Sequence, residues 1–402
     1  AGDTDHPAYL PYPGTGCCEW EGDVALEGLP QSVDPEQGYI ITANGDALGH
    51  TLDGNPYNDS TYQGYTFDLG FRVQRVNDLM SDLVDAGTPL TLEHMQAIQG
   101  DHRSPMGAAL TSHILEAIEA AEAEATDNPE GELAVLATPE VLAAKEKLAA
   151  WSFMAESGVG EDATATQKED AIATSIFNAW LVFVAQELLD NKVSTGFDRQ
   201  FTAKFLLRLY ADPQSLATWD GDLGDSVVWD NPDTAEVETR HWITLKALNL
   251  ALDFLANPEQ VGVPQAGGFG TDDMTQWLWG NLHTIKLTHP LGGSAAIPPE
   301  SVLPNGYPRA GDNFVVDAND PGFEDTKFTF QSGPAIRNVF ILNDETVEAH
   351  TIIPGGQDGA VFTPHYADLM PLWVENQTHP LYATEADILS VSESCTLLDP
   401  AE

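Results

Sequence analysis

From Phe71 the apolar positions recur at helical spacing, with Val73, Val76, Leu79, Met80 and Leu83 on one face. The same period predicts further helices over 92–99, 108–125, 139–157, 168–191, 199–210, 235–256 and 274–287. Thr138 followed by Pro139 is a good start signal for one of them. The longest apolar run, from Ile176 to Ala185, is broken by Asn178 and is short for a bilayer. It reads as a buried helix, and no transmembrane segment is expected. On either side of this block the pattern changes. Residues 7–40 are rich in Pro and Gly and lead into a β-type run over 38–43 that stops at Asn44-Gly45, while 45–70 is polar, Gly-rich and without period. Strand patterns return at 313–317, 327–330 and 338–342. The expectation is an α+β protein whose two strand-rich ends, 1–74 and 291–402, share one sheet system, with the helical block 75–290 inserted between them.

Composition narrows the classes of function. With 402 residues, 42% apolar content and nine Trp, the chain can build a sizeable core. Sixteen Lys and Arg against 63 Asp and Glu give a net charge of -47. That field repels phosphate backbones and anionic lipid heads, so neither nucleic acid nor a membrane is an expected partner. It also suits life in high salt, where self-repulsion is screened. The three cysteines, Cys17, Cys18 and Cys395, lack zinc spacing; one long-range bridge to Cys395 and unpaired thiols both remain open. The acidic loop 220–225 has calcium-like composition but lacks the downstream acidic ligand of an EF-hand, and reads as solvated. The first residues show neither an initiator Met nor a signal sequence, so removal of a preceding segment is expected.

A series of phrases follows one another in an informative order. Pro13-Gly14-Thr15-Gly16 and Glu19-Trp20-Glu21-Gly22 precede Gly38-Tyr39-Ile40-Ile41-Thr42-Ala43-Asn44, then Gly70-Phe71-Arg72-Val73-Gln74-Arg75-Val76 and the run from Leu90 to Asp101. Later come the run from Trp277 to His283, His289-Pro290-Leu291, the run from Ser332 to Arg337, the run from Pro354 to Gly359, and the run from Thr363 to Asp368 leading to Leu372-Trp373. Together they resemble the C-terminal two-thirds of the β subunit of the penicillin acylase family of N-terminal-nucleophile hydrolases.

That resemblance implies a four-layered αββα core and amide hydrolysis through an acyl-enzyme, by a Ser that self-cleavage of a precursor exposes. It also implies a periplasmic or secreted setting. The family signature of Ser, Asn and, one residue further, Trp occurs nowhere in this chain. The expected partners are therefore an α subunit and the first part of the β subunit, which would carry the nucleophile, together with a small acyl amide substrate. On this reading the chain alone is inactive. Cys17, Thr271 and Ser294 each follow a Gly but are poor substitutes. Thr271 lies in an acidic loop, and Ser294 leads into Ala295-Ala296-Ile297-Pro298-Pro299 and not a strand. Cys17, the best of them as a thiolate, sits inside the opening phrase at a position that is not the nucleophile's.

By resemblance Asn44 is the oxyanion-hole Asn, a neutral donor suited to the negative charge that develops on an attacked carbonyl. Local sequence alone favours a turn at Asn44-Gly45. Arg72 matches the active-site Arg, whose planar fork can hold the Asn in register, with Arg75 as the competing candidate. Asp59 falls near a family calcium ligand in a lengthened loop; no cofactor is required, and a structural calcium is the one brought into consideration. His283, His289 and His365 read as structural. The substrates spanned by the family are β-lactam side chains, acyl-homoserine lactones and lipopeptides. The alternatives are a catalytically silent acylase scaffold that binds in an acidic or halophilic extracytoplasmic setting, and an unrelated calcium-dependent domain.

Overall fold

The computed structural model describes residues 11, 13–17, 22–49, 64, 67–189, 199–212, 225–231, 233–234, 237–257, 267–287, 306–322, 326–330, 332–342 and 347–394. The chain divides into two compact units, Ala1–Pro89 and Leu90–Glu402.

In the first unit the main element is helix α1, Phe71–Asp85, entered through Gly70 at φ 87°, a left-handed conformation that Gly adopts without strain. The segment 38–43, expected as a strand, has no ladder partner among the described residues. It is tied instead to the helix, where Tyr39 Oη donates to Asn77 Oδ1 at 3.0 Å.

The second unit is a helical bundle followed by a small sheet. Its helices are α2 (Leu92–Gln99), α3 (Pro105–Asp127), α4 (Pro139–Ala150), α5 (Ala165–Leu189), α6 (Arg199–Ala211) and α7 (Arg240–Ala256). Thr91, Ser104, Thr138 and Thr239 each cap a following helix by accepting a backbone N–H. Thr164 and Gln167 bond reciprocally, Gln167 N to Thr164 Oγ1 at 3.2 Å and Thr164 N to Gln167 Oε1 at 3.0 Å, forming a capping box for α5. Helix α5 lies at the centre, against α3, α4 and α7. Expected over 168–191 as a buried helix, it runs over 25 residues, long and apolar enough to cross a bilayer by length and composition alone. Yet 78% of its most apolar window is buried inside the protein. Its own Phe177 and Trp180 are fully buried; Trp180 packs against Tyr210 of α6, with ring centroids 5.9 Å apart, and its Nε1 donates to the Thr244 carbonyl at 3.2 Å.

Two predicted helices are corrected. The one expected over 139–157 stops at Ala150, because Asp170 captures the next turn: its carboxylate accepts from Ser152 N at 2.9 Å and Ser152 Oγ at 2.7 Å. The one expected over 274–287 is a pair of single 3-10 turns, Met274–Gln276 and Trp279–Asn281. Here the buried indoles decide: Trp277 Nε1 donates to Thr271 O and Trp279 Nε1 to Gly311 O, each at 2.8 Å.

Strands β1 (Arg337–Leu342), β2 (Val347–Ile352) and β3 (His379–Pro380) form an antiparallel sheet of order β1-β2-β3, with Arg337 opposite Ile352 and Leu342 opposite Val347. Short helices α8 (Met370–Val374) and α9 (Glu385–Val391) accompany it. Of the expected strands, 338–342 is present within β1, whereas 313–317 and 327–330 are not strands. Phe314 sits at φ 66°, outside the extended range of a regular strand, and Phe330 makes only an isolated bridge to Ile285. Ile285, Phe330, Ile352, Met370 and Trp373 form the core beneath the sheet. The described residues are thus mixed helix and sheet, with the sheet in the second unit.

Candidate active site

Asn44 lies in the first unit at the end of the extended segment, at φ 59°. Asn is among the few residues that enter this left-handed region readily. Gly45, which follows, packs on α1: a Cβ there would meet Val73 Cγ2 at 3.4 Å. The chain then returns to Asp68, whose backbone N–H donates to the Asn44 carbonyl at 2.9 Å. This return brings Arg72, in the first turn of α1, beside Asn44.

Arg72 is the arginine that reaches Asn44. Its Nη2 donates to Asn44 Oδ1 at 2.8 Å, to the Ala43 carbonyl at 3.3 Å and to Asp68 Oδ2 at 3.1 Å. A guanidinium has donors and no acceptor, so the carboxamide must turn its oxygen toward Arg72 and its NH2 away. Asn44 Nδ2 has no acceptor among the described residues, and Asn44 is exposed. The side chains of Arg72 and Asp68 are 22% and 5% exposed. The arrangement presents a fixed neutral donor to solvent, backed by an ion pair that polarises it.

Asp59, Cys18, Cys395, His289, Ser294 and residues 220–224 lie outside the described residues; Cys17 is exposed. Among the described residues, no group of three or more His, Cys, Asp or Glu could hold a metal ion. Thr271 is a turn residue whose Oγ1 accepts from Asp273 N at 3.2 Å.

In the second unit His283 is fully buried between Trp279 and Phe330, with ring centroids 4.9 and 4.7 Å away. Burial pushes its pKa down to about 3, so it stays neutral in the core. His365 is exposed and pairs through Nδ1 with Asp368 Oδ2 at 2.7 Å, a contact that raises its pKa. His365 also borders, with His379, Gln357 and Asp358, an open cavity of ≈ 520 Å³.

Two buried polar groupings were not singled out from the sequence. Asp317, 1% exposed, receives one guanidinium on each carboxylate oxygen, from Arg309 and Arg337. Both guanidiniums also lie over the Trp373 ring, at 5.1 and 4.8 Å. Asp312, fully buried, accepts from Ser104 Oγ at 2.6 Å and Asn178 Nδ2 at 3.2 Å, which links the α3 cap to α5. Burial raises its pKa to about 7 against those two hydrogen bonds. Their only signal was the clustering of Asp and Asn over 312–320, in a stretch whose apolar residues read as a strand.

A family model described as penicillin amidase matches residues 2–390, and the chain belongs to that family. It is 24% identical over 391 residues to the acyl-homoserine lactone acylase QuiP of Pseudomonas aeruginosa, covering 92% of this chain and 40% of that protein. Its fold is similar to the thermostable penicillin G acylase of Alcaligenes faecalis, with TM-score 0.53 and 18% identity, covering 100% of this chain and 64% of that one. The chain thus spans less than two thirds of either relative's length.

Proposed function

We propose that this chain is the part of an acylase that supplies the oxyanion donor for hydrolysis of an amide bearing a bulky acyl group. A Ser at a new N-terminus, contributed by polypeptide outside this chain, attacks the amide carbonyl through Oγ while its own α-amino group accepts the proton. The carbonyl oxygen becomes an oxyanion and takes the N–H of Asn44 Nδ2. Collapse expels the amine, which leaves with the transferred proton, and water then cleaves the acyl ester and regenerates the Ser.

The observation that carries this reading is the hydrogen bond from Arg72 Nη2 to Asn44 Oδ1, because it fixes which end of the carboxamide faces outward. Family membership supports the reaction class. The names of the two relatives suggest an acyl-homoserine lactone and penicillin G as the first substrates to try. The four-layered core, precursor processing into subunits, a periplasmic or secreted location and a structural calcium at Asp59 belong to the same proposal.

The test is Asn44→Ala in the full-length protein, assayed for release of the free amine from both substrates. Loss of one oxyanion donor is expected to lower kcat about 10²- to 10³-fold, with an unchanged circular dichroism spectrum. Turnover equal to that of the unsubstituted protein would remove Asn44 from the mechanism. No turnover of any acyl amide by the processed, unsubstituted protein would favour a silent binding scaffold.

A further inference from the structure

We infer that Asp68 is a positioning residue that holds the Arg72 guanidinium against Asn44; the inference rests on the oxyanion reading above. Three observations converge on it. Its carboxylate oxygen Oδ2 accepts from both Nε and Nη2 of Arg72, at 3.4 and 3.1 Å, which sets the plane of the guanidinium. Its other oxygen accepts from Gly70 N at 3.3 Å, which ties the carboxylate to the start of α1. Its backbone N–H donates to the Asn44 carbonyl at 2.9 Å, so the same residue fixes both members of the pair.

The need for such a group follows from Arg72 itself. Nη2 carries two hydrogens and faces three acceptors, Asp68 Oδ2, Asn44 Oδ1 and the Ala43 carbonyl. The charged contact is the strongest of the three and determines where the fork points. With the Asp68 side chain 5% exposed, water competes weakly for it, unlike at a surface ion pair. Without the carboxylate, the long Arg side chain is free to swing into solvent, and the Asn44 amide loses the partner that keeps its NH2 outward. Asp68 touches no substrate in this scheme; it acts through Arg72.

The test has a structural arm and a kinetic arm. In a crystal structure of the Asp68→Ala variant, Arg72 is expected to leave hydrogen-bonding distance of Asn44 Oδ1; retention of that contact overturns the inference whatever the chemistry. In the full-length protein, Asp68→Ala is expected to lower kcat for the acyl amide about tenfold or more, with KM nearly unchanged. Asp68→Asn, which keeps the shape and one accepting oxygen, should recover part of that loss. Adding Asp68→Ala to Arg72→Ala should cost nothing further in kcat, because one interaction cannot be removed twice. Wild-type kcat in Asp68→Ala, or losses that multiply in the double variant, overturns the positioning role. The two readings fail differently: if Asn44→Ala and Arg72→Ala both leave kcat intact, the oxyanion reading falls. If those two lower kcat and Asp68→Ala does not, only the Asp68 role falls.

Discussion

The Arg337 guanidinium lies 4.8 Å over the Trp373 ring and, through Nη1, donates to the Trp373 carbonyl at 3.0 Å. The indole answers by donating from Nε1 to the Pro334 carbonyl, also at 3.0 Å, just before β1 begins. The phrases from Ser332 to Arg337 and Leu372-Trp373, distant in sequence, are thus one physical unit, closed below by Asp317. An ammonium can satisfy one of these directions but neither stacks flat nor forks. Arg337→Lys is therefore expected to destabilise the protein by roughly 2–3 kcal/mol, read as a lower urea midpoint with an unchanged slope.

Asp312 makes stability depend on pH in an unusual direction. Its folded pKa, about 7, stands above the 3.8 of an exposed Asp, so the folded state holds the proton more tightly. Its contribution is full below about pH 4 and is lost as pH rises toward 7. The charged groups around it are Asp320, which raises the pKa, and His102, which lowers it. Relative to wild type, the Asp312→Asn variant should gain stability across that window, by up to roughly 4 kcal/mol at its upper end. Unfolding curves of both proteins at pH 4.5 and pH 8 check this; a difference that does not change between them would contradict it.

Arg72→Lys separates charge from geometry. Lysine keeps the positive charge beside Asp68 but has no planar fork to engage Asp68 and Asn44 together. The expected outcome in the full-length protein is a kcat lowered about tenfold with little change in thermal stability, measured by steady-state kinetics alongside a melting curve.

Gly356 tests how tightly the loop after β2 is built. A Cβ at this position would stand 2.0 Å from the His365 carbonyl oxygen, and the neighbouring Gly355 has φ 86°. Because the obstructing atom is backbone, it cannot rotate aside. Gly356→Ala should cost about 1–3 kcal/mol and disturb the cavity bordered by His365 and Asp358, visible as a lowered melting temperature.

Much of the helical unit was legible from its apolar period, with Thr138-Pro139 marking one helix start in plain sequence. Helix α2 has the predicted bounds, 92–99. The period failed where side chains, not backbone, set the path. Trp277 and Trp279, two positions apart, would point to opposite sides of a helix, yet both are buried and each donates to a different carbonyl. The run at 313–317 reads as a strand because its Phe and Val are apolar. Its backbone bonds go elsewhere than to a ladder, Phe314 N to the Asp320 carboxylate and Asp317 N to the Asp101 carbonyl.

The contact between Asn44 and Arg72 was legible only through the family phrases. Asn44-Gly45 by itself announces a hairpin turn, yet Gly45 lacks the positive φ that such a turn requires of its second residue. Asp68 was illegible for a simpler reason. A carboxylate in a polar, glycine-rich stretch looks like any solvated charge until the chain's return path is known.

Helix α5 carries a consequence for how the chain is made. It emerges during synthesis before α7, which covers one of its sides. Until α7 follows, a rod with no hydrophilic side is left partly bare. Any polypeptide that ends between the two helices would therefore carry a sticky seam, and truncation there should yield aggregates where the intact chain yields a dissolved product.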